Sequence, residues 1–184
     1  MPLFTVANEK GQPLNYEVNG KDVAIFYADV EQAKEELKAS VEQFPTMGCD
    51  LIPVGLGGAY QAVCEGKAVL VPGLAELTAA GLPEGAPTMG QPLPLFACME
   101  MSREGPDGTP ILPLFLAHSD CKAAVDQATS TDLKEGDEQL EIVGLSLPSV
   151  VERLSKVADE TPAFQFVAPS ASAAHIRDYL GTQG

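Results

Sequence analysis

Pro2-Leu3-Phe4-Thr5-Val6-Ala7, near the start of the chain, has a counterpart past its middle in Pro94-Leu95-Phe96-Ala97-Cys98-Met99. Each segment is followed by a Gly-x-Pro turn, an apolar run ending in Phe-x-Ala, an Asp that opens a helix, a Val-Gly-Leu and a β-like run into proline. The paired landmarks are 11–13 with 108–110, 26–28 with 115–117, 29–37 with 120–128, 54–56 with 143–145 and 68–72 with 164–169. Because the order is the same in both copies, the sequence predicts an internal duplication.

Each copy is predicted to fold as β-β-α-β-α-β followed by a helix, which gives an α+β chain of two pseudo-symmetric halves. We expect a first half at 1–82, a connector at 83–92 and a second half at 93–184, packed as one compact unit. The chain has 184 residues, of which 45% are apolar, enough for a sizeable core.

Local signals place several elements. Asn19-Gly20 predicts a two-residue hairpin turn. Asp29 is predicted to cap the first long helix, and Ser119 or Asp120 to cap its counterpart. Two helix faces are predicted to be apolar, and an acidic segment is predicted to be a solvated loop. The faces are Ala33, Leu37 and Val41, and Val150, Val151, Leu154 and Val157; the loop carries Asp132, Glu135, Asp137, Glu138 and Glu141.

The net charge of −15, from 11 Lys+Arg and 26 Asp+Glu, argues against two classes of partner. Nucleic acids and anionic lipids are attracted by basic surfaces and repelled by acidic ones. No apolar run reaches the length that crosses a bilayer. We therefore expect a protein that is not integral to a membrane and is peripheral at most.

The glycines of Gly55-Leu56-Gly57-Gly58-Ala59 lie between a predicted strand and a predicted helix, where glycine-rich loops bind phosphate. The third glycine of the dinucleotide fingerprint is missing, and no Gly-Lys-Ser/Thr follows. The glycines also do not recur in the second copy, so we interpret them as a helix start and expect no nucleotide cofactor.

No catalytic or metal-binding group of residues converges in the sequence. His118 and His175 lie in different elements, and Ser119, Ser149 and Ser170 are not on a Gly-x-Ser-x-Gly elbow. The four cysteines, at 49, 64, 98 and 121, form no Cys-x-x-Cys pair and are interpreted as small buried apolar residues, although a disulfide stays open. We expect no catalytic residue, no cofactor and no metal, and the sequence does not identify peptide-binding residues.

Several segments resemble the Tic-twenty-two family, the soluble intermembrane-space component of the chloroplast protein-import translocon. They are the opening segment 2–14, 26–33 with its strand running into an Ala-rich helix, 94–96, 143–150, and 166–169 followed by His175-Ile176. The resemblance implies a two-winged, butterfly-like fold with apolar grooves, protein partners, no catalysis, and a plastid location after removal of a presequence. On this basis Met1 is expected to follow a cleaved leader.

The leading hypothesis is a non-enzymatic, chaperone-like plastid protein that binds precursor or unfolded polypeptides during protein import, in the intermembrane space if the family role holds. The alternative is an accessory structural subunit of a large plastid membrane complex such as a photosystem, which would place it in the stroma or at the thylakoid. An enzyme is the least favoured hypothesis, and lost activity on substitution of His175 or Cys64 would revive it.

Overall fold

A computed structural model describes residues 1–83, 85–105, 108, 110–132, 140–156 and 163–181. Most of the predicted acidic loop, including Glu135, Asp137 and Glu138, lies outside these residues, as does Val157. The first half contains β1 (Pro2–Ala7), β2 (Asn15–Val18), β3 (Lys21–Tyr27), α1 (Val30–Gln43), β4 (Asp50–Gly55), α2 (Leu56–Cys64), β5 (Ala68–Val71) and α3 (Leu74–Ala79).

The second half repeats this order. It contains β6 (Pro94–Cys98), β7 (Arg103–Glu104), β8 (Pro110–Phe115), α4 (His118–Asp132), β9 (Ile142–Ser146), α5 (Leu147–Lys156), β10 (Ala163–Val167) and α6 (Ser170–Gly181). A short 3₁₀ turn, Met99–Met101, follows β6 and ends the strand at Cys98. The predicted α+β fold of two similar halves is confirmed.

Each half forms one mixed sheet with the same strand order. In the first sheet β4, β1 and β3 are antiparallel neighbours and β5 runs parallel to β3; in the second, β9, β6 and β8 are antiparallel and β10 runs parallel to β8. The hairpin predicted at Asn19-Gly20 joins β2 to β3, and both turn residues have positive φ, 52° and 75°. β4 and β9 are therefore equivalent edge strands.

Strand pairing corrects the registration of the repeat by one residue at Phe115 and by two residues at the Val-Gly-Leu landmark. Phe4 faces Tyr27 and Phe96 faces Phe115, so Phe115 corresponds to Tyr27 and not to Phe26. Pro2 faces Gly55 and Pro94 faces Ser146, so Leu56 corresponds to Leu147. The Val-Gly-Leu landmark at 143–145 is thus offset by two residues from its true counterpart, because sequence identity alone cannot fix a strand register.

The two sheets face each other across one shared core. Apolar residues on the inner faces of both sheets pack together with the first residues of α2 and α5; they are Leu3, Phe26, Ala28, Leu56, Ala59, Ala68, Leu93, Leu95, Ala97, Leu112, Leu114, Leu116, Leu147 and Val150. The outer faces are covered by α1, over Phe4 and Val6, and by α4, over Phe96 and Phe115. The order of layers is helix, sheet, sheet, helix.

The last helix of the second half crosses onto the first half. Ile176 of α6 packs against the cluster that contains Phe4, and His175 meets the Phe4 ring edge-on at 5.4 Å between centroids. Tyr179 donates a hydrogen bond of 3.0 Å to the carboxylate of Asp50. The halves are therefore joined by this helix as well as by the core.

Two local predictions differ from the structure. Val41 is 43% exposed, although it was predicted on the apolar face of α1. The buried face of α1 instead carries Val30, Ala33 and the polar Ser40. Asp29 caps α1 as predicted, accepting from the Glu31 amide at 2.9 Å. Neither Ser119 nor Asp120 caps α4, because the helix begins before both of them at His118; the Asp120 carboxylate instead accepts from Ser170.

Candidate functional site

An apolar groove lies where α2 and α5 meet at the junction of the two halves. Both helices begin directly after an edge strand, and both are anchored by their first residue. The amide of Leu56 donates to the carbonyl of Met1 and the amide of Leu147 to the carbonyl of Leu93, each at 2.8 Å, while both leucine side chains are buried in the shared core. The next turn of each helix then borders the groove.

The groove encloses about 300 Å³, and its walls carry no charged side chain. Its lining consists of Met1, Leu56, Gly57, Tyr60, Leu147, Val151, Leu154 and Phe166. Leu154 is 44% exposed, so the groove is open to solvent at the α5 side. An exposed concave apolar surface of this kind is a feature that soluble proteins use to bind apolar groups.

Gly57 lines the groove from α2 without a side chain that would fill it. Neither Gly57 nor Gly58 has a positive φ, and a Cβ at either position would meet nothing within 4 Å. No backbone constraint therefore requires glycine here. The corresponding residues of α5, Pro148 and Ser149, begin the second helix by other means, with Ser146 and Ser149 exchanging hydrogen bonds. The interpretation of these glycines as a helix start stays a prediction, and the structure adds their place beside the groove.

A second cleft, of about 160 Å³, brings together the starts of α1, α3, α4 and α6. Three carboxylates already occupy it: Asp29 caps α1, Asp120 accepts from the amide and hydroxyl of Ser170, and Glu76 lies between them. Burial raises the pKa of Glu76, and the nearby charges of Asp29 and Asp120 raise it further. The hydroxyl of Ser172, which also lines this cleft, is buried and has no hydrogen-bond partner among the residues that the structure describes.

The two histidines lie on different helices of the second half, α4 and α6, and each contacts one of two equivalent phenylalanines. His118 meets Phe96 edge-on at 5.0 Å between ring centroids, as His175 meets Phe4. Of the candidate serines, Ser149 bonds to Ser146 and Ser170 bonds to Asp120.

The cysteines occupy different environments. Cys98 and Cys121 are buried as predicted, and burial raises the pKa of the Cys121 thiol to about 11. Cys64 is exposed at the end of α2, which corrects the prediction that it is buried, and Cys49 is half-buried; all four are free. Within the described residues, no group of three or more His, Cys, Asp and Glu could hold a metal ion.

Sequence reasoning missed the residues that line the groove. Val150, Val151 and Leu154 were recognised as an apolar stripe, and the structure divides them: Val150 is buried in the core, whereas Val151 and Leu154 line the groove. Met1, Tyr60 and Phe166 come from three other elements. The apolar stripe of α5 was the signal in the sequence, but a stripe does not separate core residues from groove residues.

No family model matches the chain, and no curated protein matches it. Solved structures, in contrast, are similar to the chain. Tic22 from Plasmodium falciparum superposes with a TM-score of 0.79 at 19% identity, over 100% of this chain and 94% of that one. Tic22 from Anabaena, described as a protein-transport protein, superposes with a TM-score of 0.66 at 20% identity, over 96% of this chain and 92% of that one.

Within the described residues no helix has the length and apolar character needed to cross a membrane. The similarity to both Tic22 structures extends over nearly the whole of each chain, including both halves of the repeat. The resemblance first noted in the sequence is therefore confirmed in three dimensions, and the chain has the Tic22 fold.

Proposed function

We propose that this chain is a Tic22-like protein that binds apolar segments of precursor or unfolded polypeptides during protein transport, and that the groove between α2 and α5 is where it binds them. The observation that carries the proposal is the groove itself, an open surface of about 300 Å³ walled by apolar side chains and one glycine. Its place at the junction of the halves makes it a property of the duplicated fold.

The size of the groove suits a few side chains of a client and not a folded domain. Burying one large apolar side chain contributes about 1.5–3 kcal/mol, so two or three of them give weak, reversible binding. Such binding suits the transient capture of a polypeptide in transit. The charge of −15 keeps the protein itself soluble while its groove is exposed.

The same proposal includes a non-enzymatic role with protein partners in a plastid. It is supported by the Tic22 fold and by the description of the Anabaena structure as a protein-transport protein.

Filling the groove tests the proposal. Tryptophan at position 57 would project from α2 into the groove, whereas Gly58→Trp places the same side chain on the same helix outside the lining. The measurement is the protein concentration needed to suppress the aggregation of a chemically denatured client. We expect this concentration to be about tenfold higher for Gly57→Trp than for the unmodified protein, and nearly unchanged for Gly58→Trp. Equal behaviour of the two variants, with both folded by circular dichroism, would contradict the proposal.

A further inference from the structure

The two equivalent edge strands, β4 and β9, differ in what they offer to another chain. In an antiparallel pair, alternate residues direct their N–H and C=O groups toward the partner strand, and the residues between direct them outward. The bonds from Leu56 to Met1 and from Leu147 to Leu93 fix this alternation in each half. The outward residues are Leu51, Pro53 and Gly55 in β4, and Ile142, Gly144 and Ser146 in β9.

The edge of β4 is blocked against strand addition. The amide of Leu51 donates to the carboxylate of Asp50 at 2.8 Å, and Pro53 has no N–H to offer. Proline and charged residues on edge strands are recognised means of preventing the pairing of one sheet with another chain.

The edge of β9 lacks both of these devices. Gly144 occupies the position that Pro53 holds in β4, since Phe96 faces Gly144 and Phe4 faces Pro53. Gly144 is exposed, and Ile142 and Gly144 each direct one N–H and one C=O outward. Among bonds between the described residues, those with the Ser149 hydroxyl occupy the amide and carbonyl of the last outward residue, Ser146.

A pocket of about 340 Å³ lies beside this edge and would receive side chains of an added strand. It is lined by Leu77, Ala80, Gly81, Leu82, Pro83, Gln91, Pro92, Pro94, Gly144, Leu145 and Ser146. None of these residues lines the groove between α2 and α5. The edge and the pocket together match an extended segment, whose backbone would pair with β9 while alternate apolar side chains enter the pocket.

The charge of the molecule indicates the charge of that segment. The chain carries −15, and exposed Glu141 and Glu100 stand at the end of the strand pair where Ile142 faces Cys98. A basic segment is attracted by this surface and an acidic one is repelled. We propose that β9 is a second polypeptide-binding edge, which takes a basic, extended segment of a partner protein as an added β-strand beside the Leu77–Leu82 pocket.

The test uses a fluorescein-labelled ten-residue peptide of alternating Val and Lys, with a second version whose backbone amides are N-methylated. Gly144→Pro removes the outward N–H and no hydrogen bond of the sheet, and Gly144→Ala keeps it; a Cβ at this position meets nothing within 4 Å. By fluorescence anisotropy we expect the unmodified protein and Gly144→Ala to bind the plain peptide alike, and Gly144→Pro to bind at least about fivefold more weakly.

Three results would overturn the proposal. The first is that Gly144→Pro, shown to be folded by circular dichroism, binds the plain peptide as tightly as Gly144→Ala does. The second is that hydrogen exchange shows the amides of Ile142 and Gly144 to be protected without peptide, because the edge is then already covered. The third is that sedimentation shows a dimer of the unmodified protein that Gly144→Pro abolishes, because the edge then pairs with a second copy of the chain. Peptide binding by Gly57→Trp separates this site from the groove: it is expected to be unchanged, and its loss would assign the peptide to the groove.

Discussion

Tyr179 in α6 donates a hydrogen bond of 3.0 Å to Asp50 at the start of β4, and so connects the last helix of the second half to an edge strand of the first. Because Tyr179→Phe removes only the hydroxyl, we expect a loss of about 0.5–1 kcal/mol in stability, at the low end for an exposed hydrogen bond. Hydrogen exchange should become faster in α6 and stay unchanged in α4. Equal acceleration in both helices would show that α6 is not held separately by this contact.

Glu76 makes the stability of the protein depend on pH. Its pKa is raised in the folded state, first by burial and then by Asp29 and Asp120, so the stabilising contribution of its protonated form is lost as pH rises through that pKa. We expect Glu76→Gln to raise the thermal midpoint at pH 7 by about 1–2 °C, after allowance for solvent screening. The gain should disappear below pH 4, where the carboxyl is protonated in both states.

Glu42→Gln is the matched control for this measurement. Glu42 is exposed on α1, and its substitution removes the same charge from the protein. If Glu42→Gln raises the midpoint as much as Glu76→Gln, the effect comes from net charge and not from the cleft.

The sequence landmarks pair Asp29 with Asp120, but the strand register does not, and the two carboxylates have different roles in the structure. Asp29→Ala removes the cap of α1 and should cost about 0.5–2 kcal/mol in the free energy of unfolding. Asp120→Ala removes the acceptor for the amide and hydroxyl of Ser170, so its effect should appear as faster exchange at the start of α6. Chemical denaturation and hydrogen exchange distinguish the two. Loss of protection in the first turn of α4 on Asp120→Ala would instead indicate a capping role.

The four thiols should differ in reactivity. Cys64 is exposed, whereas Cys98 and Cys121 are buried with raised thiol pKa values. Since the thiolate is the reactive form, a thiol reagent at pH 7.5 should modify Cys64 rapidly and leave Cys98 and Cys121 unmodified until the protein unfolds. Mass spectrometry of the modified peptides checks this, with Cys64→Ser as the control. Rapid modification of Cys121 in the folded protein would contradict the assigned packing.

The sequence was sufficient to predict most of the elements because most of them carry a local signal, but each half has three strands before its first long helix and not two, and β7 was missed. The Asn19-Gly20 turn and the Asp29 cap depend on residues adjacent in the chain, and both are confirmed. The failures come from contacts between distant segments. Asp120 carries the local signature of a cap, but Ser170, far along the chain, takes its carboxylate. Likewise, periodicity placed Val150 and Leu154 on one stripe, and only the packing of the sheets separates the core residue from the groove residue.

The shared core has a consequence for how such a chain can arise. A half on its own would leave residues such as Leu3, Phe26 and Leu56 exposed to water, so it could not remain a folded monomer. A single-copy ancestor would have required a second copy of itself, related by a twofold axis, to bury that face. Fusion of the two copies would then have freed each to change alone. The groove, once walled by two identical helices, could acquire Tyr60 on one side and Val151 on the other, and one edge strand could keep its proline while the other presents Gly144.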